Sequence, residues 1–139
     1  MPQYFRIQET PLKVHEAIDL VQSDTCGAID VFIGTVRNRT AGKPVERLFF
    51  ETYERMALKE MEKIAAAAAD RWPVEKMAIF HRSGWVEIGG IAVVIAVATP
   101  HRQAAFEACQ YVIDTLKETV PIWKKEVFED GETWVSAHP

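Results

Sequence analysis

Basic side chains gather near the C-terminal end of this 139-residue sequence, at spacings that suit chemistry on an anion. Thr99-Pro100-His101-Arg102 opens the stretch and Lys117 stands at its far end. Pro121 then breaks the pattern, and Trp123-Lys124-Lys125 follows. The chain as a whole is acidic, with 16 Lys and Arg against 20 Asp and Glu, a formal net charge of −4. Thr99 reads as a helix N-cap and Pro100 as the first helical residue. The unsatisfied first-turn amides, the positive end of the helix dipole, His101 and Arg102 then read as a phosphate or carboxylate site. The alternative is a solvated helix start carrying surface charge.

The apolar row expected on that helix is Phe106, Cys109, Ile113, Leu116 and Val120. Lys117 lies four residues after Ile113, beside the row. There its amine is partly desolvated, and a neighbouring cation such as Lys124 lowers its pKa further, which suits a base or nucleophile. The alternative is a packed stem with its head in water. If residues 122–128 form a strand, Lys124 shares a face with Ile122 and Glu126, while Lys125 points away with Trp123. Lys117 and Lys124 can then face one cavity across the reversal at Pro121, or the lysines can simply protect an edge strand. Arg37-Asn38-Arg39 leaves the end of an apolar strand, a place for ligand-binding side chains or for an ordinary polar loop. His81-Arg82-Ser83-Gly84 reads as structural and Cys109 as core.

These groups need elements to hold them. Tyr4 to Gln8, Ala28 to Val36, Val45 to Thr52, Lys76 to Arg82 and Ile91 to Ala98 read as strands, the second and third as a hairpin. Pro11 to Gln22, capped by Thr10, and Tyr53 to Arg71 read as helices. Leu12, His15, Ile18 (or Ala17) and Val21 form the apolar face of the first. Met56, Met61, Ile64, Ala65 and Ala68 form that of the second. Thr99 to Thr119 is the third helix, and a hairpin around Glu129-Asp130-Gly131 closes the chain. This order predicts an α+β fold, one domain over residues 1–139, with a mixed or antiparallel sheet and about three helices.

Composition excludes several classes. An acidic chain lacks the surplus that nucleic acid requires. No apolar run approaches the ~20 residues of a membrane helix. The N-terminus lacks the form of a signal peptide, and Cys26 and Cys109 make no metal or CxxC spacing, so a reduced, cytoplasmic protein is expected. No nucleotide-binding, nucleophile-elbow or metal-ligand motif is present, and no cofactor or metal is expected.

Several separated motifs appear together: VFIGTVRN at Val31 to Asn38, IFHRSGWVEIGG at Ile79 to Gly90, HR-x-x-AFEA at His101 to Ala108, D-x-LK at Asp114 to Lys117, P-x-WKKE at Pro121 to Glu126, then Gly131 and Trp134-Val135. In this order they resemble the MoaE family, the large, catalytic subunits of molybdopterin synthase. The resemblance implies an α+β, α/β-hammerhead-like fold. It also implies conversion of cyclic pyranopterin monophosphate to the dithiolene molybdopterin. The sulfur donor would be a small ubiquitin-like subunit whose Gly-Gly tail ends in a thiocarboxylate. Two large subunits would dimerise, with one small subunit at each outer end. Lys117 and Lys124 would be catalytic. Thr35, Val36, Arg37, His101, Arg102, Lys125 and Glu126 would hold substrate, one of Arg37, His101 and Arg102 being supplied across the dimer interface, with Phe32 and Tyr111 packed around them. Two departures stand out. Family members often continue with a partly basic tail where this sequence has only His138 and Pro139, and position 109 is Cys where a small residue is common. Other classes consistent with the residues are a non-catalytic module for an anionic ligand or a Gly-Gly tail, and an unrelated phosphate-ester enzyme.

Overall fold

Two sheets and three helices build the chain in the computed structural model, which describes residues 1–136. The elements run β1 (Gln3–Gln8), α1 (Val14–Val21), β2 (Ala28–Thr35), β3 (Arg39–Thr40), β4 (Lys43–Thr52) and α2 (Glu54–Arg71). Next come β5 (Lys76–Arg82), β6 (Gly84–Glu87), β7 (Ile91–Thr99), α3 (Arg102–Thr119), β8 (Ile122–Phe128) and β9 (Gly131–Ser136). The α+β expectation holds, with mixed and antiparallel pairing and three helices. Residues 137–139, with the short tail at His138, lie outside the described residues.

The first sheet has the order β1-β5-β7-β2, with β1 parallel to β5 and the other pairs antiparallel. Its central strands are apolar on both faces because both faces are covered. Met77, Ile79, Val93, Ile95 and Val97 face the core shared with α2 and α3. Ala78, Phe80, Val94, Ala96 and Ala98 face a smaller core under α1. Phe80, Met77 and Ile79 are almost wholly buried, and each such side chain contributes ~1.5–3 kcal/mol relative to exposure.

The second sheet is antiparallel, ordered β3-β4-β8-β9, with β6 also on β4. The expected hairpin between the strands ending at Val36 and beginning at Val45 does not form. The first pairs with β7 and the second with β8, in different sheets. The tight turn instead joins β3 to β4 through Ala41 and Gly42, at φ 50° and 81°. Two successive positive φ values match the right-handed twist of a two-residue hairpin.

Helix starts and faces differ from the pattern in several places. The first helix begins at Val14 after Lys13, not at Pro11 after Thr10, whose carbonyl and hydroxyl instead accept from Gln8 Nε2. His15 is exposed; Ala17 and Val21 are buried. On α2, Met56 is exposed and Ala57 takes its place in the core. On α3, Phe106 is exposed while Ala105, Ala108, Cys109, Val112 and Leu116 are buried. Alanine allows α2 and α3 to approach closely, and the bulky neighbours turn outward. No described helix is long and apolar enough to cross a membrane.

Candidate active site at the seam of the two sheets

The end of β2, the last turn of α3 and the middle of β8 meet where the two sheets join. The strand β2 delivers Thr35, Val36 and Arg37. Val36 is 3% exposed, and its backbone is clasped by Gly89 and Gly90: Val36 N–H donates to Gly90 O at 2.9 Å, and Gly89 N–H donates to Val36 O at 2.7 Å. With this peptide fixed, Thr35 and Arg37 project at the mouth. On β8, alternation buries Ile122 and Glu126 and sends half-buried Lys124 inward with them. Lys124 lies opposite Phe50 and Glu126 opposite Leu48 on β4.

Two connected chambers form the cleft. The inner one, about 90 Å³, is lined by Phe32, Gly34, Phe50, His81 and Val93, with Thr35, Val36, Leu48, Lys117 and Lys124 at its boundary. The outer one, about 240 Å³, shares those five boundary residues and adds Arg37, Thr40 and Glu126. Concavities of about 410 Å³ beside Arg82 and Trp85, and of about 600 Å³ beside Cys26, have no comparable pair of amines.

The electrostatics fit an anion. Burial holds the Lys117 amine below its usual pKa, and the Lys124 charge lowers it further. Glu126 is 3% exposed, and its Oε2 is buried without a hydrogen-bond partner, a costly arrangement unless something occupies the chamber. Cys109 is inert: burial, then the Asp30 carboxylate, pushes its thiol up to about 12, so no thiolate forms near neutral pH.

Six of the nine sequence-predicted residues therefore converge: Thr35, Val36, Arg37, Lys117, Lys124 and Glu126, with Phe32 behind them. Three do not, within one copy of the chain. Lys125 points to the opposite face of β8, its Nζ 5.2–5.5 Å from the ring centres of Phe49, Trp85 and Trp134 and 3.7 Å from Glu132. His101 and Arg102 are exposed at the far end of α3, about 16 residues and ~24 Å of helix from Lys117. The N-cap is His101, not Thr99, and Pro100 precedes the helix. Thr99 is fully buried as the last residue of β7, and its hydroxyl donates to His101 O at 2.6 Å. Tyr111 packs on Trp72 and Arg71 of the α2 end, away from the cleft.

One cleft residue, His81, reads from sequence as structural. It is 3% exposed on the inner wall, its ring edge-on to Phe50 at 5.2 Å. A histidine in the apolar run MAIFHR is the available signal, because a buried polar ring needs a reason.

Comparison with known proteins shows the family and the fold. The family model described as MoaE protein matches residues 7–119. A molybdopterin synthase catalytic subunit of Halalkalibacterium halodurans is 50% identical over 94% of this chain and 84% of its own length. A Staphylococcus aureus molybdopterin synthase structure superposes with a TM-score of 0.89 at 40% identity, covering 93% of this chain and 94% of that one. A Helicobacter pylori structure, a complex of subunits 1 and 2 of molybdopterin-converting factor, superposes at 0.79 with 26% identity over 97% and 93%. With the paired lysines at the meeting of two sheets and this likeness along almost its whole length, the chain belongs to the MoaE family.

Proposed function

We propose that this chain is a molybdopterin synthase catalytic subunit, the sulfur transferase that converts cyclic pyranopterin monophosphate to molybdopterin. The observation that carries the reading is the convergence of Lys117 and Lys124 on one cleft with Arg37 at its mouth. Both reactants are anions, a thiocarboxylate and a phosphate ester, and a cationic cleft recognises both. The inner chamber, about 90 Å³, suits a terminal glycine and its C(O)S⁻ group. The outer chamber, about 240 Å³, suits part of the larger pterin.

In this reading the thiocarboxylate sulfur displaces an oxygen substituent from a carbon of the pterin side chain: the C–S bond forms as the C–O bond breaks, the departing oxygen takes up a proton, and a thioester is left between the donor tail and the substrate. Water then cleaves the acyl–sulfur bond, releasing a carboxylate tail and leaving sulfur on the pterin. Two such transfers make the dithiolene. Lys117, with its lowered pKa, sits at the acyl group, where it moves a proton or stabilises the developing oxyanion. Lys124 serves the substrate as general acid or base. Neither cysteine carries sulfur, and both are free thiols, which fits the reducing cytoplasm.

The donor is a separate small ubiquitin-like protein ending in Gly-Gly, a pairing supported by the Helicobacter pylori relative, which is itself a complex of two subunits. His101, Arg102 and Lys125 lie outside the cleft of their own copy, so a substrate-binding role for them requires a second copy of the chain; this supports our assignment of a dimer of large subunits with one small subunit at each end. The test is single-turnover conversion of the pterin with thiocarboxylated small subunit, comparing wild type, Lys117→Ala and Lys124→Ala. Product from wild type, and none from Lys117→Ala that still binds the small subunit, supports the reading. A wild type that binds the tail but makes no product makes the chain a binding module.

A further inference from the structure

Between the two lysines and the core lies His81, which the reaction described above does not use. It stands on β5 with Met77 and Ile79 on the face towards α2 and α3, at the end of that row, where the core opens into the inner chamber. Its neighbours there are Phe32 from β2, Phe50 from β4, Val93 from β7, Lys117 from α3 and Lys124 from β8. The charged groups facing it are thus both cations, with Arg82 next along its own strand and Glu126 in the adjoining chamber.

The tautomer follows from one contact. His81 Nδ1 is 2.7 Å from Arg82 O, and a carbonyl oxygen only accepts, so Nδ1 carries the proton. Burial, and after it the Lys117 charge, pushes the ring's pKa down to about 4, so near neutral pH the ring holds that single proton. Its remaining polar atom, Nε2, is then an acceptor in a chamber bounded by two amines.

We propose that His81 is a positioning residue for the reaction: its Nδ1-protonated imidazole offers Nε2 as the acceptor that orients the Lys117 amine on the incoming acyl group. The edge-on contact with Phe50 and the Arg82 carbonyl hold the ring plane, so the acceptor has a fixed direction. A neutral acceptor is the suitable partner here, because a carboxylate would raise the Lys117 pKa and a third cation would repel the substrate.

The turnover arm of the test rests on the synthase reading; the spectroscopic arm does not. In the full-length chain carrying 15N histidine, the His81 imidazole shifts at pH 7 should show a proton on Nδ1 and none on Nε2. A proton on Nε2 overturns the proposal, and this is read on wild type, so a variant that fails to fold does not remove the test. The Lys117 side-chain titration, assigned with Lys117→Ala, should move to lower pH in His81→Asn, which keeps a donor near Nδ1 but has no atom at Nε2. His81→Gln, with an amide oxygen near Nε2, should restore it. An unmoved Lys117 titration in folded His81→Asn overturns the proposal. In turnover, His81→Asn should lose roughly ten- to hundredfold in kcat, as for one hydrogen bond to a charged group, with KM and small-subunit affinity unchanged and kcat recovered in His81→Gln. Wild-type kcat in His81→Asn also overturns it. Wild type that is inert but passes both spectroscopic arms removes the synthase reading and leaves the His81–Lys117 pair standing.

Discussion

Acid should destabilise this protein through His81 more than through any surface carboxylate, and the size of the effect can be worked out. The ring titrates near 6.5 in the unfolded chain and is pushed down to about 4 in the fold by burial and by Lys117. A depressed pKa means that the unfolded state binds the proton first, so stability is complete above pH 6.5 and is lost as pH falls towards 4. The full difference is about 3 kcal/mol, at ~1.4 kcal/mol per pKa unit. Between pH 7 and pH 5 the loss is about 2 kcal/mol, or roughly 7 °C in Tm for a chain of this length. His81→Gln cannot titrate. Denaturant unfolding of the two proteins at pH 7, 6 and 5 should therefore give lines that diverge by about 2 kcal/mol, the wild type being the steeper. Parallel lines would refute the reasoning, because the ring would then be protonating without penalty and could not be buried against two amines.

Three other outcomes are expected. Lys117→Met should abolish conversion while the folded protein still binds the small subunit; single-turnover assays alongside calorimetric titration check this. Lys124→Gln removes the second of those causes, so the Lys117 amine should titrate at higher pH, followed by side-chain NMR. Gly34→Ala would set a Cβ 2.6 Å from Val93 Cγ1 and 3.3 Å from Phe32 Cε1 on the inner-chamber wall. It should destabilise by ~1–3 kcal/mol in thermal melts and weaken small-subunit tail binding in calorimetric titration.

Much of the site can be read along the chain because it depends on local periodicity. Lys117 beside the α3 stripe, and Lys124 with Glu126 on one face of β8, follow from periods of 3.6 and 2. Even the outward turn of Lys125 is implied by alternation. What local pattern does not contain is which strand pairs with which. The split of β2 and β4 into separate sheets is a long-range choice, in which β2 takes the free edge of β7 and β4 pairs with β8. The same pairing explains Thr99: as the partner of Ala28 it ends a strand, and strand pairing outweighs its capping propensity. His81 is hidden for a related reason. Its strand is apolar from Met77 to Phe80, and only the arrival of α3 and β8 at its end turns the next position into a wall of the cleft.

The corner at Val120-Pro121-Ile122 has a consequence for how this protein can vary. Val120 N–H closes the helix on Leu116 O, and Ile122 N–H folds back on Val120 O at 2.8 Å, around a proline whose φ is locked. Lys117 and Lys124 are thus joined by a short, stiff tether, and their separation does not depend on how the two sheets lean on each other. Loops elsewhere can lengthen or shorten at little cost to this pair. One residue gained or lost between Pro121 and Lys124 would exchange the two faces of β8, sending Lys124 out to the aromatic rings and Lys125 into the cleft. Length at this corner is therefore under tighter constraint than the identity of most residues in it.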